Sequence, residues 1–146
     1  MFVYTDLNEV DPNFKPVPEG TYTYQVLSVE AKEFKYKNTT QYHQAGDTGS
    51  YAKLVLGITD HPDHSGRRVF ETLFSGPREL RILRRLMDAT GVQQTPGAPL
   101  TEWFVALTEE KPRFTAPLLV SEETNNKTGE TSSVNRVDWR GLAPAA

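Results

Sequence analysis

The feature that most constrains this chain is one run of β-favouring residues, 21–36, TYTYQVLSVEAKEFKY, whose alternation changes phase part-way. Tyr22, Tyr24 and Val26 share one face of an extended strand. From Leu27 onward the apolar positions are Leu27, Val29 and Ala31, displaced by one. A one-residue slip carries every later side chain to the opposite face of a sheet. A strand that keeps a single buried face across such a slip must bulge or bend. Long bent first strands belong to small closed barrels, where one strand serves both halves of the sheet.

The rest of the chain extends that frame. Residues 1–20 read as an extended arm, because Pro12, Pro16 and Pro18 exclude a helix and PVPEG closes in a turn. Polar residues with Gly46 and Gly49 make 37–50 a long loop. YAKLVLGIT (51–59) alternates cleanly, Ala52, Leu54, Leu56 and Ile58 against Tyr51, Lys53, Val55 and Gly57, as a strand with one buried face does. DHPDHSG is a turn, and RRVFETLF (67–74) a third strand rich in β-branched and aromatic residues. SGPRELRILRRLMDATG (75–91) is the clearest helix, with Pro77 near its first turn, a stripe of Leu80, Leu83, Leu86 and Met87, and Gly91 at its end. Leu100, Trp103, Phe104 and Leu107 favour a second short helix over 99–111, with a strand through WFVAL as the competing reading. RFTAPLLVSEE (113–123) is a strand in which Pro117 suits an edge or a bulge. TNNKTGE turns, and TSSVNRVDW (131–139) returns. The tail, 141–146, has nothing to pack and reads as flexible. The expectation is a mainly β domain over 21–140: a five-stranded OB-fold-like barrel with a helix between strands 3 and 4 and a possible second helix.

Composition narrows the function classes. The 146 residues suit one domain, and 37% hydrophobic content with 7 Phe, 6 Tyr and 2 Trp is enough for a core. There is no Cys, which removes disulfides, thiolate zinc sites and a cysteine nucleophile. The first residues show no secretory pattern and no segment approaches the roughly 18 apolar residues of a membrane helix. Matches to the glycosylation pattern at Asn38 and Asn126 therefore carry no weight. A net charge of −3 argues against tight duplex binding through a basic surface. The charge is unevenly spread, however. Residues 1–31 hold one lysine against five acids, 32–91 hold ten basic against seven acidic residues, and 92–146 hold five against seven. An anion would be attracted to the middle of the chain.

That middle begins with KEFKYK. Flat rings stack bases and cations track phosphates, a pairing that single-stranded nucleic-acid binders require. Phe34 and Tyr36 share one strand face, Lys35 and Lys37 the other; a twist at the strand end would let both line one groove. The alternative is that the rings are core and the lysines solvated. OB-folds bind oligonucleotides on strands 2 and 3 and on the loops joining strands 1–2 and 4–5. Those loops would be 37–50, which carries Tyr42, and 124–130, which carries Lys127. Tyr51 and Lys53 lie on the non-core face of the second strand. One of Arg67 and Arg68 joins that face; which one stays open, because Val69/Leu73 and Phe70/Phe74 are both plausible core sets. Arg78, Arg81, Arg84 and Arg85 band the helix, and a solvated face paired to Glu79 and Asp88 is the ordinary reading. Asp60, His61, Asp63 and His64 invite a metal, but a tight turn without a distant ligand is a weak site. No phosphate loop or nucleophile elbow is present, and Asp60, Asp63 and Glu71 are too scattered for a nuclease.

Three runs carry a resemblance. PVPEGTYTYQVLSVEAKEFK, GRRVFETLF with LRILRRLMDATGV, and the closing strand with Asn135, Arg136 and Val137 resemble a family of phage single-stranded DNA-binding proteins with an OB-fold. The resemblance covers about residues 16–95 and the end of the chain. It implies sequence-independent binding of single-stranded DNA in replication or recombination. It implies replication or recombination proteins as partners, the cytoplasm of an infected bacterium as location, and no cofactor or catalysis. Residues 99–123 depart from the shorter connection of that family, and RGLAPAA is not the acidic tail of bacterial single-strand binders. Exposed strand edges would allow a homo-oligomer. A protein-binding or structural OB-like module is the alternative function, and a metal-dependent nuclease a distant third.

Overall fold

A computed structural model describes residues 15–59 and 61–145. Its organising strand is β1 (Gly20–Lys35), which pairs antiparallel with β2 (Thr48–Thr59) along most of its length. The register runs from Thr23↔Thr59 to Val26↔Leu56 and resumes at Ser28↔Val55, so Leu27 is the extra residue of a bulge. Tyr22, Tyr24 and Val26 are buried before it and Val29 after it. The phase change therefore marks a bulge, as anticipated, although Ala31 is exposed and Leu27 half-buried. Leu27 lies over Gly57, where an added Cβ would meet its Cδ1 at 3.1 Å.

The bulge also divides the work of β1. Before it, Gly20–Gln25 pairs with β4 (Arg113–Thr124), so both edges of β1 are used. After it the second edge would be bare. There α2 (Leu100–Glu110) and the Lys111 that caps it cover it: Thr108 Oγ1 accepts from Val29 N at 3.0 Å, and Lys111 Nζ donates to Leu27 O at 2.9 Å. Blunting an edge this way prevents it from templating another strand.

The sheet continues with β3 (Arg68–Phe74) beside β2 and β5 (Thr131–Val137) beside β4, in the order β3-β2-β1-β4-β5. It curls until β3 approaches β5, but the backbone ladder does not close. The expected five-stranded OB-fold-like barrel is thus corrected to an antiparallel six-stranded sheet that is not closed into a barrel. At the seam a side chain, Glu71, makes the connection that a backbone ladder would otherwise make. Its buried carboxylate reaches across the seam and accepts from Val137 N at 2.6 Å, with Arg136 3.8 Å away. A side chain stands where ladder bonds would run.

Between β3 and β4 lie α1 (Pro77–Thr90) and then α2. Pro77 opens α1, and Gly91, at φ 74°, closes it in the left-handed region where a side chain would be strained. Ile82, Leu83 and Leu86 are buried on the sheet; Leu80, expected in that stripe, is 43% exposed. The helical reading of 99–111 holds: Trp103, Phe104 and Leu107 are buried, and Trp103 Nε1 donates to Val92 O at 2.8 Å.

Both ends are more structured than expected. β5 stops at Val137; Asp138 caps a short 3₁₀ turn, Trp139–Gly141, which buries Trp139. The tail, expected to pack against nothing, returns as β6 (Ala143–Pro144) paired with Thr115 and Phe114 of β4. At the other end Val17 enters the core, and its N–H and C=O are both held by the Asn135 side chain at 2.8 Å. The part of the expected arm that spans residues 1–14, with Pro12, lies outside the described residues.

Candidate nucleic-acid interface

Two antiparallel registers build one surface. Where β1 and β2 pair, Lys32 stands opposite Tyr51 and Glu30 opposite Lys53. Where β2 and β3 pair, Tyr51 meets Phe74, Lys53 meets Thr72, Val55 meets Phe70 and Gly57 meets Arg68. Alternation turns the neighbours Ala52, Leu54, Leu56, Val69 and Leu73 into the core. The other parity makes an outward face with Phe34, Tyr51, Phe70 and Phe74 as rings and Lys32, Lys53 and Arg68 as cations. Phe70 and Phe74 are 55% and 49% exposed, large areas for apolar rings.

At one end of this face the rings touch. Phe34 and Phe74 meet edge-on at 5.6 Å between centroids, Tyr51 and Phe74 lie 5.6 Å apart, and Phe34 meets Tyr36 at 4.8 Å. Such contacts hold rings in fixed orientations beyond what area alone would do. The arrangement requires a glycine. A Cβ on Gly49, opposite Phe34 in the ladder, would fall 2.5 Å from Phe34 Cζ and 2.9 Å from Tyr36 Cε2. Tyr36 continues the hairpin, donating N–H to Asp47 O and accepting from Gly46 N. Its ring stacks on His43 at 3.5 Å, nearly parallel at 18°. The loop beyond is folded on itself by Thr39, Thr40 and Asp47 side chains accepting from backbone N–H groups. Tyr42 stands on it 85% exposed.

The ten residues singled out from sequence divide as follows. Phe34, Tyr36, Tyr51, Lys53 and Arg68 are brought together on or beside the outward face, and Phe34 is not in the core. Lys35 and Lys37 have the opposite parity from the rings, and both are exposed. The strand end does not leave the sheet, since β1 stays in ladder register with β2 to Lys35↔Thr48. Tyr42 lies on the loop at this end. Arg67 turns away, donating to Lys15 O at 2.8 Å. Lys127 sits in the β4–β5 turn, its N–H accepted by Asn125 Oδ1. The register puts the β1–β2 loop beyond Tyr51 and Phe74. The β4–β5 turn is carried past the Arg68 end, where Arg68 and Phe70 share a cleft with Val134 and Arg136. Phe70, Phe74 and Lys32 were missed. The signal that could have found the rings was the inward partner set, Val69, Glu71 and Leu73, which a carboxylate in the middle disguised.

Charge on the face is mixed. Glu30 opposes Lys53 and sits 3.1 Å from Lys32, so part of the cationic character is offset. Glu71 lies on the inner side. Burial pushes its carboxyl above the ordinary range, opposed by the Val137 N–H and the Arg136 guanidinium. In the β2–β3 turn His61 and His64 face each other at 4.7 Å, against Tyr22. Asp60 lies outside the described residues, and among the described residues no group of three or more His, Asp or Glu converges to hold a metal. Among them, too, no helix is long and apolar enough to cross a membrane. The chain matches no family model and no curated protein.

Proposed function

We propose that this chain binds single-stranded DNA without sequence preference, by stacking bases on the outward rings of β1–β3 and contacting phosphates through Lys32, Lys53 and Arg68. One observation carries this: four rings, two of them half exposed, share a sheet face with cations and lie between two loops. Stacking supplies roughly 1–3 kcal/mol per base and is indifferent to sequence because every base has a π-face. Strand order β3-β2-β1-β4-β5, a bulged β1 paired on both edges, and a helix between β3 and β4 support an OB-fold-like architecture. In such a domain this is the oligonucleotide face. The resemblance to phage single-strand binders extends the reading to phage replication or recombination in the cytoplasm of an infected host. Binding needs no cofactor and no catalysis.

A second reading, docking of a protein rather than DNA, is favoured by Glu30 within the basic rows and by the apolar pair Phe70 and Val55. Titrating a labelled dT oligomer at two salt concentrations separates the two. Binding that weakens with salt and exceeds duplex binding supports the DNA reading. No binding at low salt, or equal affinity for duplex, overturns it.

A further inference from the structure

On another side of the molecule α1 faces the exit of β5, leaving a cleft of about 400 Å³, within the range of ligand sites. Its rim is basic. Arg78, Arg81 and Arg85 recur at three and four residues, so they project from one helix face. Arg140 faces them from the 3₁₀ turn. The single carboxylate here, Asp138, is held by Arg140 through two contacts, Nε at 2.9 Å and Nη2 at 3.2 Å. Among the described residues no carboxylate pairs with Arg78, Arg81 or Arg85. Among the described residues, the helix's one ion pair joins Arg84, on the adjacent face, to Asp88. Three unneutralised guanidinium groups on successive turns repel one another, and Arg81 and Arg85 stand at the i,i+4 spacing where like charges destabilise a helix.

The floor is apolar. Ile82, Val137 and Trp139 are nearly buried within it, and Leu119 is 37% exposed. A nucleic-acid strand would use the rim, but it would find no exposed ring to stack on, since Trp139 is only 9% exposed. An acidic peptide with one apolar side chain uses both parts: carboxylates on the guanidinium forks, the side chain on Leu119 and the indole edge. We infer that this cleft docks an acidic peptide segment of a partner protein, separately from the ring-bearing face.

The probe is a fluorescein-labelled octapeptide with five Asp or Glu around one Phe, and its control carries Asn and Gln in their place. Anisotropy at low salt is expected to show about tenfold tighter binding of the acidic peptide, and a similar loss for Arg81→Glu/Arg85→Glu. Arg81→Ala/Arg85→Ala, a milder change at exposed positions, serves if charge reversal perturbs folding. Tyr51→Ala/Phe74→Ala should leave the peptide affinity unchanged, which separates this site from the proposed DNA face. Equal affinity for the two peptides overturns the inference, as does indifference to both arginine variants. So does displacement of the peptide by oligo-dT together with loss of dT binding in the arginine variants, which would make the cleft a nucleic-acid track.

Discussion

Replacing Phe74 with Ala tests the ring face most directly, because the structure separates its two effects. The ring is 49% exposed, so roughly half of it is free to meet a base. The other half rests on Phe34 and Tyr51, each 5.6 Å away between centroids. Full burial of a Phe makes truncation cost about 3–5 kcal/mol, so a half-buried ring should cost about 1–2 kcal/mol of stability. The protein should remain folded and melt lower. Losing one stacking platform should remove about 1–3 kcal/mol of binding, a weakening of roughly 5- to 150-fold. Val105→Ala is the control: it is comparably exposed, at 55%, but lies on α2, off the face. Fluorescence anisotropy with a labelled dT oligomer reads the affinities, and circular dichroism confirms folding. If Phe74→Ala binds within twofold of the wild type, or if Val105→Ala loses as much, the stacking argument fails.

Four other outcomes follow from the geometry. Gly49→Ala should lower stability by about 1–3 kcal/mol and weaken dT binding, because its methyl displaces the Phe34 ring; a melting curve and the same titration check it. Thr108→Val should cost about 1–3 kcal/mol in urea unfolding, since Val29 N loses its acceptor on the covered edge of β1. Tyr24→Phe should raise stability by about 1 kcal/mol, because the buried Tyr24 hydroxyl has no partner among the described residues; a lower melting point would reveal a hidden one. Glu71, whose carboxyl is raised chiefly by burial, gives a pH effect of definite sign. Below the ordinary carboxylate range both folded and unfolded chains hold the proton. As pH rises the unfolded chain ionises first, the folded chain holds more protons, and stability falls until the folded carboxyl has ionised too. Glu71→Gln should flatten that fall in denaturant midpoints measured across the acidic range, and an unchanged slope would assign it elsewhere.

The parts of the fold that were legible in the sequence are those where one period dominates. The phase change at Val26 and Leu27 reported the bulge because a buried face tolerates no slip. The 3.6-residue stripe of Trp103, Phe104 and Leu107 chose helix over strand. What was illegible depended on partners distant in the chain. Trp139 and the short β6 gain their place from β4, through Pro117, Phe114 and Thr115, and from α1, and nothing local in RGLAPAA announces an extra strand. The unclosed ladder had no local signature either, since it depends on how β3 and β5 meet across the whole sheet.

That same side chain explains why half of the ring face escaped the sequence. In RVFETLF both parities carry two apolar residues, and only one carries the glutamate. The ordinary expectation keeps a carboxylate outside, which would put Phe70 and Phe74 inside. Glu71 goes in because the curl of the sheet offers it an otherwise unpaired Val137 N–H, 66 residues away in sequence, and the guanidinium of the neighbouring Arg136. Its inward turn forces Phe70, Thr72 and Phe74 out. A carboxyl group is thus buried at the seam, and the consequence on the other face of the same strand is a pair of rings left in solvent. If the inward parity of residue 71, rather than the seam contact itself, holds the rings outward, Glu71→Leu, which suits the core but cannot accept from Val137 N, should keep Phe74 outward yet loosen β5. Faster amide exchange should then appear at Val137 and Arg136 while dT affinity stays within about twofold of the wild type. Loss of dT binding in that variant would show instead that the face depends on the seam being held.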